Sequence, residues 1–163
     1  MRLYLVRHGK AVDEGYRFDE DRPLTDDGRE RMRRTAKAWA KHGDPAPEAW
    51  LVSPLVRAVQ TCEICVDAFG QDGPVEVSRA ITPEGPVSAA VDVIEHATAE
   101  VLAVVSHEPL CSELSSFLLQ RSFPRDFKKG AVLALDLERG RARFVWFLEP
   151  AKEDKDPKFR DEL

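Results

Sequence analysis

The feature that most constrains the fold is a continuous apolar run at residues 101–105. A run with no polar residue to face solvent is typical of a strand that is covered on both faces inside a parallel sheet. A similar short run, residues 3–6, lies at the start of the chain. Because parallel neighbours are joined by crossovers that usually contain a helix, we expect strands and helices to alternate.

The alternation is visible along the whole chain. Apolar stripes at helical spacing follow Thr25, an expected N-cap, and Ser53-Pro54, which predicts a cap with proline at the first helical position. Further helical stripes begin at Val87 and Leu110. The predicted strands are 2–6, 50–52, 75–77, 101–105, and a hairpin of 132–137 and 142–148 around Glu138-Arg139-Gly140-Arg141. This order predicts a mostly parallel α/β sheet with helices on both faces and an antiparallel edge hairpin.

Length and composition limit the number of domains and the kind of partner. We expect a single domain over residues 1–150 and a charged tail over 151–163 that is solvated or loosely docked. The net charge of −5 argues against a nucleic-acid partner, so any anion site must be a local basic pocket. No apolar run approaches the roughly 18 residues of a membrane span. Three cysteines and no signal peptide favour the cytoplasm.

Chemically active side chains follow three of the predicted strands. Arg7-His8-Gly9 follows the first strand, and His107-Glu108 follows the apolar run at 101–105. Ser53 follows the second strand, with Arg57 one turn into the next helix. Since the carboxyl ends of parallel strands meet at one edge, where α/β sheets bind ligands, we expect these residues to share a site.

These residue types suit transfer of a phosphoryl group to a histidine. The reaction needs a neutral imidazole in line with phosphorus, and arginine forks around the equatorial oxygens. A carboxylic acid must protonate the leaving group, and a glycine lets the backbone pass close to the phosphate. The scheme needs no cofactor and no metal, and the two histidines lack further ligands at metal-binding spacing.

Four motifs, in order along the chain, resemble the histidine phosphatase superfamily. They are Leu5-Val6-Arg7-His8-Gly9, Arg22-Pro23-Leu24-Thr25-x-x-Gly28, Ser53-Pro54-Leu55-x-Arg57-Ala58-x-Gln60-Thr61 and Ser106-His107-Glu108-Pro109. The resemblance runs from residue 1 to about 137, and within the superfamily it points to the small SixA-type phosphohistidine phosphatases. It implies a three-layer αβα fold like that of phosphoglycerate mutase.

The resemblance also implies roles for individual residues. His8 corresponds to the nucleophile that becomes phosphorylated. The phosphate pocket corresponds to Arg7, Arg57 and His107, and Arg22 corresponds to a residue at the pocket rim.

The two residues that directly follow His8 are further candidates for substrate binding. Gly9 would let the backbone approach the phosphate, and Lys10 would either add a cation near His8 or point into solvent. The sequence Lys10-Ala11-Val12 also differs from the acidic residue, serine and nearby asparagine that mutases resembling this fold carry, which disfavours mutase activity.

The general acid is left open by the sequence. In one branch of the superfamily it directly follows the second histidine, a position held here by Glu108, which is the favoured candidate. In the mutase branch it comes from a region where this chain offers Glu84. Asp13 and Glu14, in the loop after the nucleophile, are alternatives, and Glu108 could instead cap the following helix.

The leading hypothesis is a metal-independent phosphatase that acts through phospho-His8 on protein phosphohistidine. The chain has no long insertion between the third and fourth strands, so the site should be open enough for a phosphorylated protein side chain. The alternatives are a phosphatase of small phosphomonoesters and a non-catalytic module that binds phosphate or a phosphoprotein. A serine hydrolase using Ser53 or Ser106 is disfavoured because neither serine lies in a nucleophile-elbow pattern. The sequence does not indicate an oligomeric state.

Overall fold

The central layer is a mixed β-sheet, seen in a computed structural model that describes residues 1–139, 141–153 and 155–163. Within these residues the sheet has seven strands: β1 (Arg2–Arg7), β2 (Ala49–Val52), β3 (Val75–Val77), β4 (Val101–Ser106), β5 (Val132–Glu138), β6 (Arg141–Glu149) and β7 (Lys158–Arg160). Their order across the sheet is β3-β2-β4-β1-β5-β6-β7.

The sheet is parallel on one side and antiparallel on the other. Strands β3, β2, β4 and β1 run parallel, whereas β5, β6 and β7 pair antiparallel from β1 outwards. This confirms the predicted α/β class with its antiparallel edge. Gly140, expected in the hairpin turn between β5 and β6, lies outside the described residues.

Strand β7 lies in the segment that the sequence places in a charged tail. It pairs with β6 from Phe147 opposite Arg160 to Glu149 opposite Lys158. Phe159 stacks on His42 at a ring-centroid distance of 3.8 Å. A single phenylalanine between two basic residues gives no periodic signal, so the pairing that docks this segment could not be predicted.

Four helices cover the two faces of the sheet. They are α1 (Asp26–Lys41), α2 (Val56–Phe69), α3 (Val87–Glu95) and α4 (Leu110–Leu119). Met32, Trp39 and Cys62 of α1 and α2 pack with Tyr4 and Val6 on one face. The opposite face is covered by α3 and α4, so the predicted three-layer arrangement is confirmed.

The helix starts agree with the sequence at α1 but not at α2. The hydroxyl of Thr25 accepts a hydrogen bond of 2.8 Å from the Gly28 amide, as expected of an N-cap. Helix α2 begins only at Val56, and Leu55 precedes it without a side-chain cap. The prediction that Ser53 caps α2 is therefore wrong, because its hydroxyl lies 2.7 Å from Nε2 of His107.

The apolar run that suggested the fold is the centre of the sheet. All six residues of β4 are buried, as expected of a strand covered on both faces. The three cysteines are free and buried. In the described part of the chain, no helix combines the length and hydropathy that crossing a membrane requires.

Candidate active site

The register between β1 and β4 brings the two motif histidines together. These neighbours pair with Val6 opposite Val105 and Arg7 opposite Ser106. The next residue of each strand is a histidine, and the His8 amide continues the ladder with a bond of 3.0 Å to the Ser106 carbonyl. The rings of His8 and His107 lie 4.9 Å apart, measured between centroids. Strand pairing therefore sets the spacing of the two imidazoles.

The hydrogen bonds of His8 define which ring nitrogen carries the lone pair. Nε of Arg57 donates to Nε2 of His8 over 3.3 Å. A guanidinium can only donate, so Nε2 carries the lone pair and Nδ1 carries the proton. Nδ1 lies 2.6 Å from the carbonyl oxygen of Gly9, which accepts that proton's hydrogen bond. The imidazole is thus held in the tautomer that presents a nucleophilic Nε2.

The surroundings of His8 also keep its ring neutral. Burial, followed by the positive charges of Arg57, Arg7 and Lys129, lowers the pKa of His8 to about 3, against the opposing effect of the Gly9 carbonyl. A protonated imidazole has no lone pair to attack with, so this low pKa preserves the nucleophile at neutral pH.

His107 carries an unused hydrogen-bonding group. Its Nε2 is held by Ser53, and among the described residues its buried Nδ1 has no hydrogen-bond partner. Burial, then the neighbouring His8 and Arg57, lower its pKa to about 3. Nε of Arg7 is likewise buried without a partner in that part of the chain. An orphaned buried polar group costs about 1–3 kcal/mol, and an anion with several oxygens would relieve both.

Arg57 is fixed by a residue that sequence reasoning did not select. Asp19 accepts from Nη1 of Arg57 through its carbonyl oxygen at 2.9 Å and from Nη2 through its carboxylate at 3.0 Å. The other carboxylate oxygen accepts from Nε and Nη2 of Arg22 at 2.9 and 2.6 Å. The hydrogen bond from Arg22, then that from Arg57, lower the pKa of Asp19. Arg22 therefore lies at the rim, joined to the pocket through Asp19.

The remaining candidates for substrate binding have mainly local contacts. The Gly9 amide donates to Oγ1 of Thr61 over 3.1 Å, so it helps to fix the nucleophile turn against α2. Lys10 is exposed, with its ammonium 4.0 Å from a carboxylate oxygen of Asp27. Nη1 of Arg7 donates to the carbonyl oxygen of Phe127 over 2.6 Å.

Among the acid candidates, Glu108 has the most sheltered carboxyl group. It is partly buried, and burial raises its pKa although the hydroxyl of Ser112 donates to it over 2.9 Å. That bond comes from a side-chain hydroxyl, whereas a helix cap would accept from a backbone amide, so it does not make Glu108 a cap of α4. Asp13, Glu14 and Glu84 are exposed.

The assembled site offers a nucleophile and fixed cations. A neutral Nε2 faces a buried arginine fork, and Arg7 and His107 each have a buried nitrogen with no hydrogen-bond partner among the described residues. In the residues that the structure describes, no three His, Cys, Asp or Glu side chains are grouped so that they could hold a metal ion. The arrangement suits attack on an anionic electrophile such as a phosphoryl group.

Comparison with known sequences agrees with this chemistry. A family model described as histidine phosphatase superfamily (branch 1) matches residues 3–82, which include His8 and Arg57. The phosphohistidine phosphatase SixA of Escherichia coli (strain K12) is 33% identical over 154 residues, which are 92% of this chain and 94% of that protein.

Comparison with solved structures extends the similarity to the whole fold. The structure of the protein histidine phosphatase SixA complexed with tungstate has a TM-score of 0.80 and 32% identity, and covers 90% of this chain and 96% of that one. The alpha-ribazole phosphatase from Shigella flexneri shares the fold with a TM-score of 0.66 at 20% identity, over 88% of this chain and 94% of that one. The chain therefore belongs to the histidine phosphatase superfamily, branch 1.

Proposed function

We propose that this protein is a protein phosphohistidine phosphatase that acts through a phosphorylated His8. The observation that carries the proposal is the neutral Nε2 of His8, held 3.3 Å from Nε of the buried Arg57. This geometry supplies a nucleophile and a cation that stabilises the negative charge of the phosphoryl group during transfer.

In the first step, Nε2 of His8 attacks phosphorus as the bond between phosphorus and the substrate imidazole nitrogen breaks. Arg7, Arg57 and His107 stabilise the equatorial oxygens through donors that are already fixed. We assign the proton for the leaving nitrogen to Glu108, because burial raises the pKa of its carboxyl group. In the second step water attacks phospho-His8 and gives a proton to the Glu108 carboxylate as the bond between phosphorus and Nε2 breaks, which releases phosphate and restores both the free imidazole and the carboxylic acid.

The open surroundings of the site support a protein substrate. Residues 78–100, between β3 and β4, contain only a short 3-10 turn and α3, so this segment adds no domain over the pocket. One relative of this chain, SixA of Escherichia coli (strain K12), is a phosphohistidine phosphatase by name. The three buried free cysteines suit a reducing compartment, and we place the protein in the cytoplasm on that ground.

The test measures hydrolysis of a phosphohistidine peptide and of an aryl phosphate, with EDTA present, by wild type, His8→Ala and His96→Ala. His96 is an exposed histidine at the C-terminal end of α3, outside the four motifs, and serves as the matched control. We expect wild type and His96→Ala to hydrolyse the peptide, and His8→Ala to lose at least 1000-fold in kcat, as is typical when a nucleophile is removed.

The outcomes separate the candidate functions. Turnover of aryl phosphate alone would indicate a phosphatase of small phosphomonoesters. An absence of turnover on both substrates would favour a binding module. Unchanged activity in a folded His8→Ala protein would overturn the proposed nucleophile.

A further inference from the structure

A second pocket lies directly beside the nucleophile turn, and of the residues used in the steps above only Arg7 lines it. It has a volume of about 290 Å³ and is lined by Arg7 and Gly9, the residues on either side of His8. The rest of its wall comes from Lys10, from α1 between Gly28 and Thr35, from Asp126 and residues 128–130, and from residues 150–152. The pocket therefore adjoins the reacting centre from the side of α1.

This pocket is strongly basic in a protein whose net charge is −5. One carboxylate residue, Asp126, lines it along with six cationic residues. The cationic residues come from separate segments of the chain: Arg7, Lys10, Arg31, Lys128, Lys129 and Lys152. Like charges gathered around a concave surface repel each other and focus a positive potential into it. Such a pocket attracts an anionic group.

Three of the lysines that line the pocket have no ion-pair partner in the part of the chain that the structure describes. Among the described residues, no carboxylate oxygen lies within 4.0 Å of the ammonium groups of Lys128, Lys129 or Lys152. Arg31 differs, because its guanidinium is paired with Asp27 and Glu153, each at 2.9 Å. The available charges are thus lysine ammonium groups.

The loop that carries Lys128 and Lys129 is hydrogen-bonded to the turn that contains His8. The Gly130 amide is shared between the carbonyl oxygens of Arg7 and His8, each at 3.0 Å. Gly130 has a φ of +86°, a conformation that side chains with a Cβ rarely adopt, which fixes the loop here. Lys129 lies near enough for its charge to lower the pKa of His8. A group bound by these lysines would therefore lie close to the reacting phosphoryl group.

We propose that this basic pocket is a second anion subsite, which binds acidic side chains next to the phosphohistidine of the substrate protein. This proposal rests on the proposed function. Carboxylates are favoured over a second phosphate because neither arginine fork of the pocket is available: Arg31 is already paired, and Arg7 is assigned to the reacting phosphoryl group. Flexible lysines act as point charges and accept carboxylates that approach at different angles.

The experiment compares two phosphohistidine peptides that differ only in three flanking residues, Glu in one and Gln in the other. We expect wild type to prefer the acidic peptide by about tenfold in kcat/KM at low salt, since three exposed ion pairs of ordinary strength give this factor. The preference should shrink as salt is added. The double variant Lys128→Gln/Lys152→Gln should lower the preference to about twofold or less on the same basis.

A matched control removes the same charge elsewhere. The double variant Lys37→Gln/Lys158→Gln also removes two positive charges, and these exposed lysines lie outside the pocket wall. We expect it to keep the preference of wild type. The second arm of the experiment compares hydrolysis of a bisphosphate with that of the corresponding monophosphate. If wild type preferred the bisphosphate and the Lys128→Gln/Lys152→Gln variant lost this preference, the subsite would be reassigned to phosphate and the carboxylate assignment would be overturned.

The failures of the two proposals are distinguishable. Equal hydrolysis of both peptides by wild type would overturn the subsite and leave the phosphohistidine phosphatase function intact. Loss of preference in the control variant would also overturn it, because the effect would then be one of net charge. Hydrolysis of neither peptide would overturn both proposals.

Discussion

At the scale of single residues, the protonation state of His8 can be tested directly. Because burial and nearby cations lower its pKa to about 3, its ring should stay neutral with the proton on Nδ1 from pH 8 down to pH 5. Nitrogen NMR of the imidazoles should show this fixed tautomer. His96 is the internal control, since its hydrogen bond to the Asp92 carbonyl raises its pKa, so its ring should be protonated at pH 5, where that of His8 stays neutral. Titration of His8 near pH 6.5 would contradict the proposed environment.

The residues of the site that sequence could identify are those at regular positions. His8 and His107 each directly follow a strand, and Arg57 lies at the start of the helix that follows the second strand. The pattern of strands and helices alone therefore brings these residues to one edge of the sheet. Asp19 and Lys129 act from loops, where no period relates sequence to position. Asp19 is also one of several acidic residues in its loop, and nothing in the sequence distinguishes it from Asp13 or its other neighbours.

At the scale of elements, the contact between α1 and the nucleophile loop can be tested at Gly28. A Cβ placed at Gly28 would lie 2.2 Å from the carbonyl oxygen of Lys10, too close for any side chain. Gly28→Ala should therefore lower the free energy of unfolding by about 1–3 kcal/mol, as overpacking does. It should also lower kcat/KM, because the displaced loop follows His8 directly.

The matched variant for this prediction is Gly73→Ala. A Cβ at Gly73 would lie 2.5 Å from the carbonyl oxygen of Glu48, away from the site residues. Urea unfolding should show destabilisation of both variants, while kcat/KM of the folded protein should fall only for Gly28→Ala. Wild-type stability of Gly28→Ala would show that the contact does not constrain the loop.

The same contact shows what sequence alone leaves out at this scale. Gly28 belongs to one of the four motifs, and the start of α1 was predictable from the capping residue Thr25. The reason for glycine is a close approach between α1 and Lys10, two segments whose distance depends on the folded loop. The late start of α2 has a similar origin, because Ser53 bonds His107 across the sheet edge instead of capping the helix.

At the scale of the whole molecule, the α/β class and the parallel centre of the sheet followed from simple patterns, whereas the far edge of the sheet did not. Apolar runs and crossovers are enough to predict a parallel centre with helices on both faces. Strand β7 depends on contacts with residues distant in sequence, among them the stacking of Phe159 on His42. His42 in turn bonds Asp44, so the edge is joined to a polar cluster at the base of the sheet.

Asp44 holds this cluster together and links the stability of the molecule to pH. Its carboxylate accepts from Nη1 of Arg2 at 2.7 Å and from Nε1 of Trp146 at 2.8 Å, besides its bond to His42. Burial alone would raise the pKa of Asp44, but the hydrogen bonds from His42, Arg2 and Trp146 outweigh it and lower the pKa. The stabilisation is therefore present above the pKa of about 3.9 in the unfolded chain. It is lost as the pH falls through the lower pKa of the folded state.

Asp44→Asn should lower the free energy of unfolding at pH 7 by about 1–2 kcal/mol, a value below that of fully buried charged bonds because solvent reaches the cluster. The difference from wild type should shrink as the pH falls below about 3.9, because Asp44 of the unfolded chain then binds a proton that the folded carboxylate still excludes. Urea unfolding at pH 7 and pH 3 measures both values, with the exposed Asp67→Asn of α2 as the control that changes neither. An equal difference at the two pH values would mean that Asp44 stabilises the fold by its shape and hydrogen bonds, without a contribution from its charge.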